Sequence, residues 1–116
     1  VLYEPEKLSS VAKDLLTDKN NQVYVSLSSL WELGSKAAVN RLPLAGSSVD
    51  LIATKIEEFG VKWLSLTKQD IVKATSLPPH HLDPFDRILI ALAQTHSLPV
   101  VTKDPKFTLY DVVTLW

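Results

Sequence analysis

The sequence predicts an α/β domain, a mostly parallel sheet covered by helices. Three observations carry that expectation. Short β-rich runs alternate with stretches of helical periodicity along the whole chain, the pattern of a parallel sheet with helices on its faces. The last two strand candidates, 98–102 and 112–116, are mostly apolar and read as buried strands, as strands covered on both faces do. Finally, 116 residues with 46% apolar and 22% charged content suit one soluble domain, residues 1–116, with a core of its own.

The elements follow in order. Residues 8–18 read as a helix with Ser9 or Ser10 as cap and Val11, Leu15 and Leu16 as its apolar stripe. Asn20-Asn21 turns the chain into a strand over 22–26. Residues 27–40 return to helical spacing through Leu30, Leu33, Ala37 and Ala38, and 42–48, with Pro43 and Gly46, form a loop. A helix over 48–59 carries Leu51, Ile52, Ile56 and Phe59 on one side and ends at Gly60, a C-cap glycine. Residues 61–66 are the next strand, and Thr67 caps a helix over 68–76. Pro78-Pro79-His80-His81 excludes regular structure. Residues 84–96 form the clearest helix, and 98–102 and 112–116 are buried strands.

Composition excludes some functions. There is no cysteine, so neither disulfides nor thiolate metal sites, and a cytoplasmic setting fits. No apolar run approaches the ~20 residues of a membrane span, and no signal peptide is visible. The net charge of −1 gives no global attraction to nucleic acid, although a local basic patch is compatible with it. The chain contains no methionine and opens at Val1.

Three carboxylates stand where an α/β fold places chemistry. Glu32 lies mid-helix between Trp31 and Leu33, with Lys36 at i+4; taken alone, an ordinary surface ion pair is the plainer reading of that spacing. Asp83 before Pro84 is a strong helix start, and Asp86 then falls on the third helical position, where the helix dipole favours an acid. Capping accounts for both, but Asp86 also leads straight into the apolar Ile88-Leu-Ile-Ala-Leu-Ala93. Asp104 follows a strand, at the sheet edge where ligands of open α/β folds bind; an Asx turn before Pro105 is the plainer alternative. Carboxylates converging there suit one or two Mg²⁺ or Mn²⁺ ions, which prefer oxygen ligands and can hold the attacking and leaving oxygens of a phosphodiester. His80 and His81 lie in a Pro-rich loop without further ligand spacing, which favours an unremarkable role over that of ligand or substrate contact.

Taken in order, Val23-Tyr-Val-Ser26 with Ser29-Leu-Trp-Glu32, Asp83-Pro-Phe-Asp-Arg87, Val101-Thr-Lys-Asp104 and the closing Val112-Val-Thr-Leu-Trp116 resemble the PIN domain as found in VapC toxins. The resemblance implies a PIN-like (Rossmann-like) fold and a Mg²⁺- or Mn²⁺-dependent endoribonuclease, a hydrolase of RNA. It also implies control by a cognate antitoxin, dimerisation and no membrane association. It assigns Glu32, Asp86 and Asp104 as metal-binding and catalytic acids, with Asp83, Thr102, Lys36 and Arg87 as supporting or substrate-side residues. The family opens with a central strand ending in aspartate. Here Val1-Leu-Tyr-Glu-Pro5 reads as the tail of the following helix, so that strand and that acid are expected to be absent and this chain to be weakly active or inactive alone. The competing expectations are an inactive PIN remnant acting as an interaction module and a DNA-directed metal phosphoesterase on the same scaffold.

Overall fold

A computed structural model describes residues 9–40 and 49–116, with side chains described for 9–35 and 49–116. The expectations for residues 1–5, for the loop over 42–48 and for the side chain of Lys36 lie outside the described residues. Among the described residues the chain divides into two compact units, one spanning 19–65 and the other joining 9–18 to 66–116.

The first unit is β1 (Tyr24–Ser26), α2 (Leu27–Asn40), α3 (Val49–Glu57) and β2 (Lys62–Leu64). β1 and β2 pair in parallel, Val25 opposite Trp63. The parallel direction requires a crossover, and α2 and α3 supply it. β1 runs into α2 without a loop because Ser26 is its own cap: its hydroxyl accepts the Ser28 backbone N–H at 3.1 Å and contacts the Ser28 hydroxyl at 2.6 Å. At Gly34 a Cβ would stand 3.1 Å from a Val49 methyl, so the start of α3 lies close against α2 there. Gly60, with φ of 78°, turns the chain out of α3 and donates its N–H to Glu57, as the sequence predicts for that glycine.

The second unit holds α1 (Ser10–Thr17), α4 (Lys68–Ser76), α5 (Pro84–His96), β3 (Val100–Val101), a 3-10 turn (Pro105–Leu109) and β4 (Thr114–Leu115). α1 starts where Ser9 accepts the Ala12 N–H at 3.0 Å. α4 opens with a reciprocal capping box: Thr67 Oγ1 accepts the Asp70 N–H, and Asp70 accepts the Thr67 N–H at 2.8 Å. α5 begins as the sequence predicts, with Asp83 as cap and Pro84 at the first position. It is buried at four consecutive residues, Ile90 to Ala93, so it runs through the unit's interior rather than lying on it. It ends at Ser97, whose left-handed backbone (φ 53°, ψ 43°) turns the chain back toward β3. β3 and β4 are parallel, Val100 opposite Thr114. Ile90, Phe107 and Tyr110 form the core here, with Leu77, Leu89, Val100 and Val112 packed on it.

Helices, strands and parallel pairing agree with an α/β fold, but among the described residues the strands pair two by two, β1 with β2 and β3 with β4, where the sequence predicts a single sheet. The strands are shorter than the sequence predicts, because ladder pairing covers only 24–26 with 62–64 and 100–101 with 114–115. The 3-10 turn had no counterpart in the sequence expectation. No helix among the described residues is long and apolar enough to cross a membrane.

Candidate metal centre

In the second unit the segment 77–86 leaves α4, crosses irregular backbone and enters α5. Its conformation is set by side chains from elsewhere. Arg87 spreads its guanidinium over three carbonyls: Nη1 donates to Pro78 at 3.1 Å and to His81 at 3.0 Å, and Nη2 to Leu77 at 2.6 Å. The Tyr110 hydroxyl, on the far side of the 3-10 turn, accepts the His81 N–H at 2.8 Å and donates to the Pro78 carbonyl at 2.5 Å. The Phe107 ring stands edge-on to the His81 imidazole at 5.7 Å and 87°. His80, one residue away, is exposed and packs its ring against Tyr110 instead.

These braces bury the His81 side chain to 7% exposure and aim its Nε2 at two carboxylates. Asp86 Oδ2 lies 3.0 Å away and Asp104 Oδ2 2.9 Å away. Asp86 arrives on the first turn of α5. Asp104 arrives at the end of β3, where Thr102 Oγ1 accepts its backbone N–H at 3.1 Å. The two acids remain 27% and 33% exposed, so the cluster has a buried imidazole behind and a solvent-facing acid pair in front.

Asp104 divides its oxygens between two tasks. Oδ1 accepts the Lys106 N–H at 2.9 Å and caps the 3-10 turn, while Oδ2 faces His81. The Asx turn that the sequence offers is present, and the same side chain also meets His81. Burial pushes the Asp104 carboxyl up. The Lys106 N–H, the His81 hydrogen bond and the fields of His81 and Lys106 outweigh it, and the net shift is below the ordinary 3.8.

Asp83, placed by the resemblance among the supporting residues, accepts the Phe85 and Asp86 N–H groups at 2.9 and 3.3 Å and so fixes the turn that carries Asp86. Thr102 likewise holds the backbone N–H of Asp104, and Arg87 the carbonyls of the loop ahead of α5. Glu32 belongs to the first unit. It is buried on α2, with Ser28 and Ser29 on the same helical face.

The group that sequence reasoning undervalued is His81. Its signal was its position: two residues ahead of an N-cap aspartate, it stands at the mouth of a helix whose third residue is an acid.

A ligand atom from each of His81, Asp86 and Asp104 lies within 4.8 Å of the other two. Two partly exposed carboxylates side by side suit a hard divalent cation, which binds oxygen at about 2.0–2.6 Å. Each carboxylate oxygen has two lone pairs, so an oxygen that accepts one hydrogen bond can still coordinate.

No curated protein and no solved structure matches the chain. A family model described as the PIN domain matches residues 1–113. PIN domains are generally nucleases and usually depend on a divalent metal. With a match of that extent, and with paired acids at a helix start and at a strand end, the chain belongs to the PIN domain family.

Proposed function

We propose that this chain is a metal-dependent endoribonuclease of the VapC toxin type, acting in the cytoplasm on RNA under the control of a cognate antitoxin. The observation that supports it most is the juxtaposition of Asp86 and Asp104, both about 3 Å from one buried nitrogen and both open to solvent, in a chain of a generally nucleolytic family. Asp86 and Asp104 would hold Mg²⁺ or Mn²⁺, with Glu32 as a further acid assigned by resemblance. The bound ion would supply charge neutralisation at the scissile phosphate and a more acidic water.

The chain's own contribution is to hold the acids before the ion arrives. α5 and β3 are packed elements, Asp83 and Thr102 hold the backbone N–H of Asp86 and Asp104, and Arg87 holds the loop that carries His81, which limits reorganisation on binding. Hydrolysis adds water across a P–O bond: the oxygen of water bonds to phosphorus, the bond to the leaving ribose oxygen breaks, and a proton ends on that oxygen. The VapC-type assignment carries with it a homodimer and an antitoxin that covers the acid face.

The test sets end-labelled RNA against DNA of the same sequence, with Mg²⁺, Mn²⁺ or EDTA. The expected result is internal cleavage of RNA, lost in EDTA and in Asp86→Asn and Asp104→Asn. Preferential cleavage of DNA would replace the ribonuclease assignment with a DNA-directed one. A folded chain that cleaves neither would leave an inactive interaction module.

A further inference from the structure

The His81 imidazole lies against the acid pair with both ring nitrogens engaged, and their partners differ in kind. Nδ1 faces the backbone N–H of Asp83 at 3.2 Å. An amide N–H can only donate, so Nδ1 is the acceptor and the ring hydrogen sits on Nε2. Nε2 faces only acceptors, Oδ2 of Asp86 and Oδ2 of Asp104. One hydrogen is thus shared between two carboxylates from different elements.

We propose that His81 is a positioning residue that clamps Asp86 and Asp104 together through its Nε2–H, and that it is not itself a metal ligand. An Nε2 that carries hydrogen has no lone pair in the ring plane to offer a cation. To become a ligand, the ring would have to move its hydrogen to Nδ1. That would set two donors, Nδ1–H and the Asp83 N–H, against each other at 3.2 Å. The ring cannot turn away to avoid this. The ring is buried and stands perpendicular to Phe107, and the Tyr110 hydroxyl and Arg87 hold the backbone N–H and carbonyl on either side of it. Asp83 itself is fixed as the cap of α5. The backbone therefore selects the tautomer, and the tautomer selects the role.

Two consequences follow for the cation. The donor set in front of His81 stays all-oxygen, which suits Mg²⁺ and Mn²⁺; an imidazole ligand would shift preference toward softer metals such as Zn²⁺ or Ni²⁺. The acids are also held side by side before binding, against their mutual repulsion. This inverts the usual arrangement in which a carboxylate orients a metal-bound histidine: here a histidine orients the carboxylates.

The inference rests on the nuclease proposal in one respect, that Asp86 and Asp104 are the cation-binding pair. The test measures Mg²⁺ and Mn²⁺ affinity by calorimetry for the native chain, His81→Gln and His81→Leu, with melting in EDTA as a fold control. A glutamine amide nitrogen can stand where Nε2 stands and donate to the acids; leucine cannot donate. The expected result is a loss of roughly 10–100-fold in His81→Leu, the range for residues that orient ligands. That loss should be the same for both ions and be largely restored in His81→Gln. Nitrogen-15 shifts of the native imidazole should show hydrogen on Nε2 and none on Nδ1, with and without saturating Mg²⁺; this needs no variant to fold. Loss of the Nε2 hydrogen when Mg²⁺ binds, or native-like affinity in His81→Leu, would overturn the clamp and leave the nuclease proposal standing. A native chain that binds neither ion would overturn both.

Discussion

Tyr110 and His81, 29 residues apart, are joined where the phenolic oxygen accepts the backbone N–H at 2.8 Å. The same hydroxyl donates to the Pro78 carbonyl, so one oxygen closes the loop ahead of α5 at both ends. Tyr110→Phe keeps the ring in the core but leaves the buried His81 N–H without its partner, while the Pro78 carbonyl keeps only Arg87. The expected cost is about 1–3 kcal/mol, read as a lower denaturation midpoint with unchanged slope. Because the loop carries His81, the variant should also weaken Mg²⁺ binding. Native stability in this variant would show that water replaces the hydroxyl.

Arg87 makes a related prediction by a different route. Its fork reaches three carbonyls at once, a geometry that a lysine ammonium cannot reproduce. Arg87→Lys should destabilise the chain by about 1–3 kcal/mol and speed amide exchange at His81 to Asp83 before exchange rises in α4. Uniform acceleration across the unit would mean that Arg87 stabilises the fold generally, not this loop.

Much of this was legible in the sequence wherever the cause was local. The Asp83-Pro84 start of α5, the Thr67 cap of α4 and the turn at Gly60 depend on residues within a few positions, and each forms where the spacing places it. The candidate acids Asp86 and Asp104 were legible too, since a helix start and a strand end mark them. His81 was not. Its Nδ1 partner is two residues away, but Asp104 is 23 and Tyr110 is 29 away, and no periodicity encodes such meetings. The 3-10 turn was missed because Asp104-Pro105 reads equally as the end of a strand and as the cap of a short helix.

Divalent ions should stabilise the chain. A ligand that binds only the folded state adds about 2.7 kcal/mol at one hundred times its dissociation constant. Millimolar Mg²⁺ or Mn²⁺ should therefore raise the melting temperature of the native chain and raise it less in Asp86→Asn and Asp104→Asn. A native melting temperature that stays flat across that range would remove the metal-centre assignment.

The depressed Asp104 carboxyl fixes the sign of an acid effect. A carboxylate whose folded pKa lies below its unfolded value stabilises the fold above the unfolded value, about 3.9, and the contribution is lost as pH falls through the folded value. In EDTA the gap in melting temperature between the native chain and Asp104→Asn should be widest near neutrality and close below about pH 4. A gap that widens on acidification would contradict the shift.

The burial of α5 on consecutive residues has a consequence for chain length. Asp86 sits on the first turn of that helix, and Ile90 to Ala93 are locked into the interior from four residues further on. One residue inserted between them would swing the acid about 100° around the helix axis, away from Asp104, while the buried turns stayed in place. The same insertion at the exposed turn around Phe59 would leave the phase of α5 untouched. Substitutions here change chemistry by degrees, whereas a single insertion or deletion in the first turns of α5 separates the two carboxylates outright. The interval from Asp86 to Ile90 thus behaves as a measured length, closed to the drift in loop size that surface segments of the same chain can absorb.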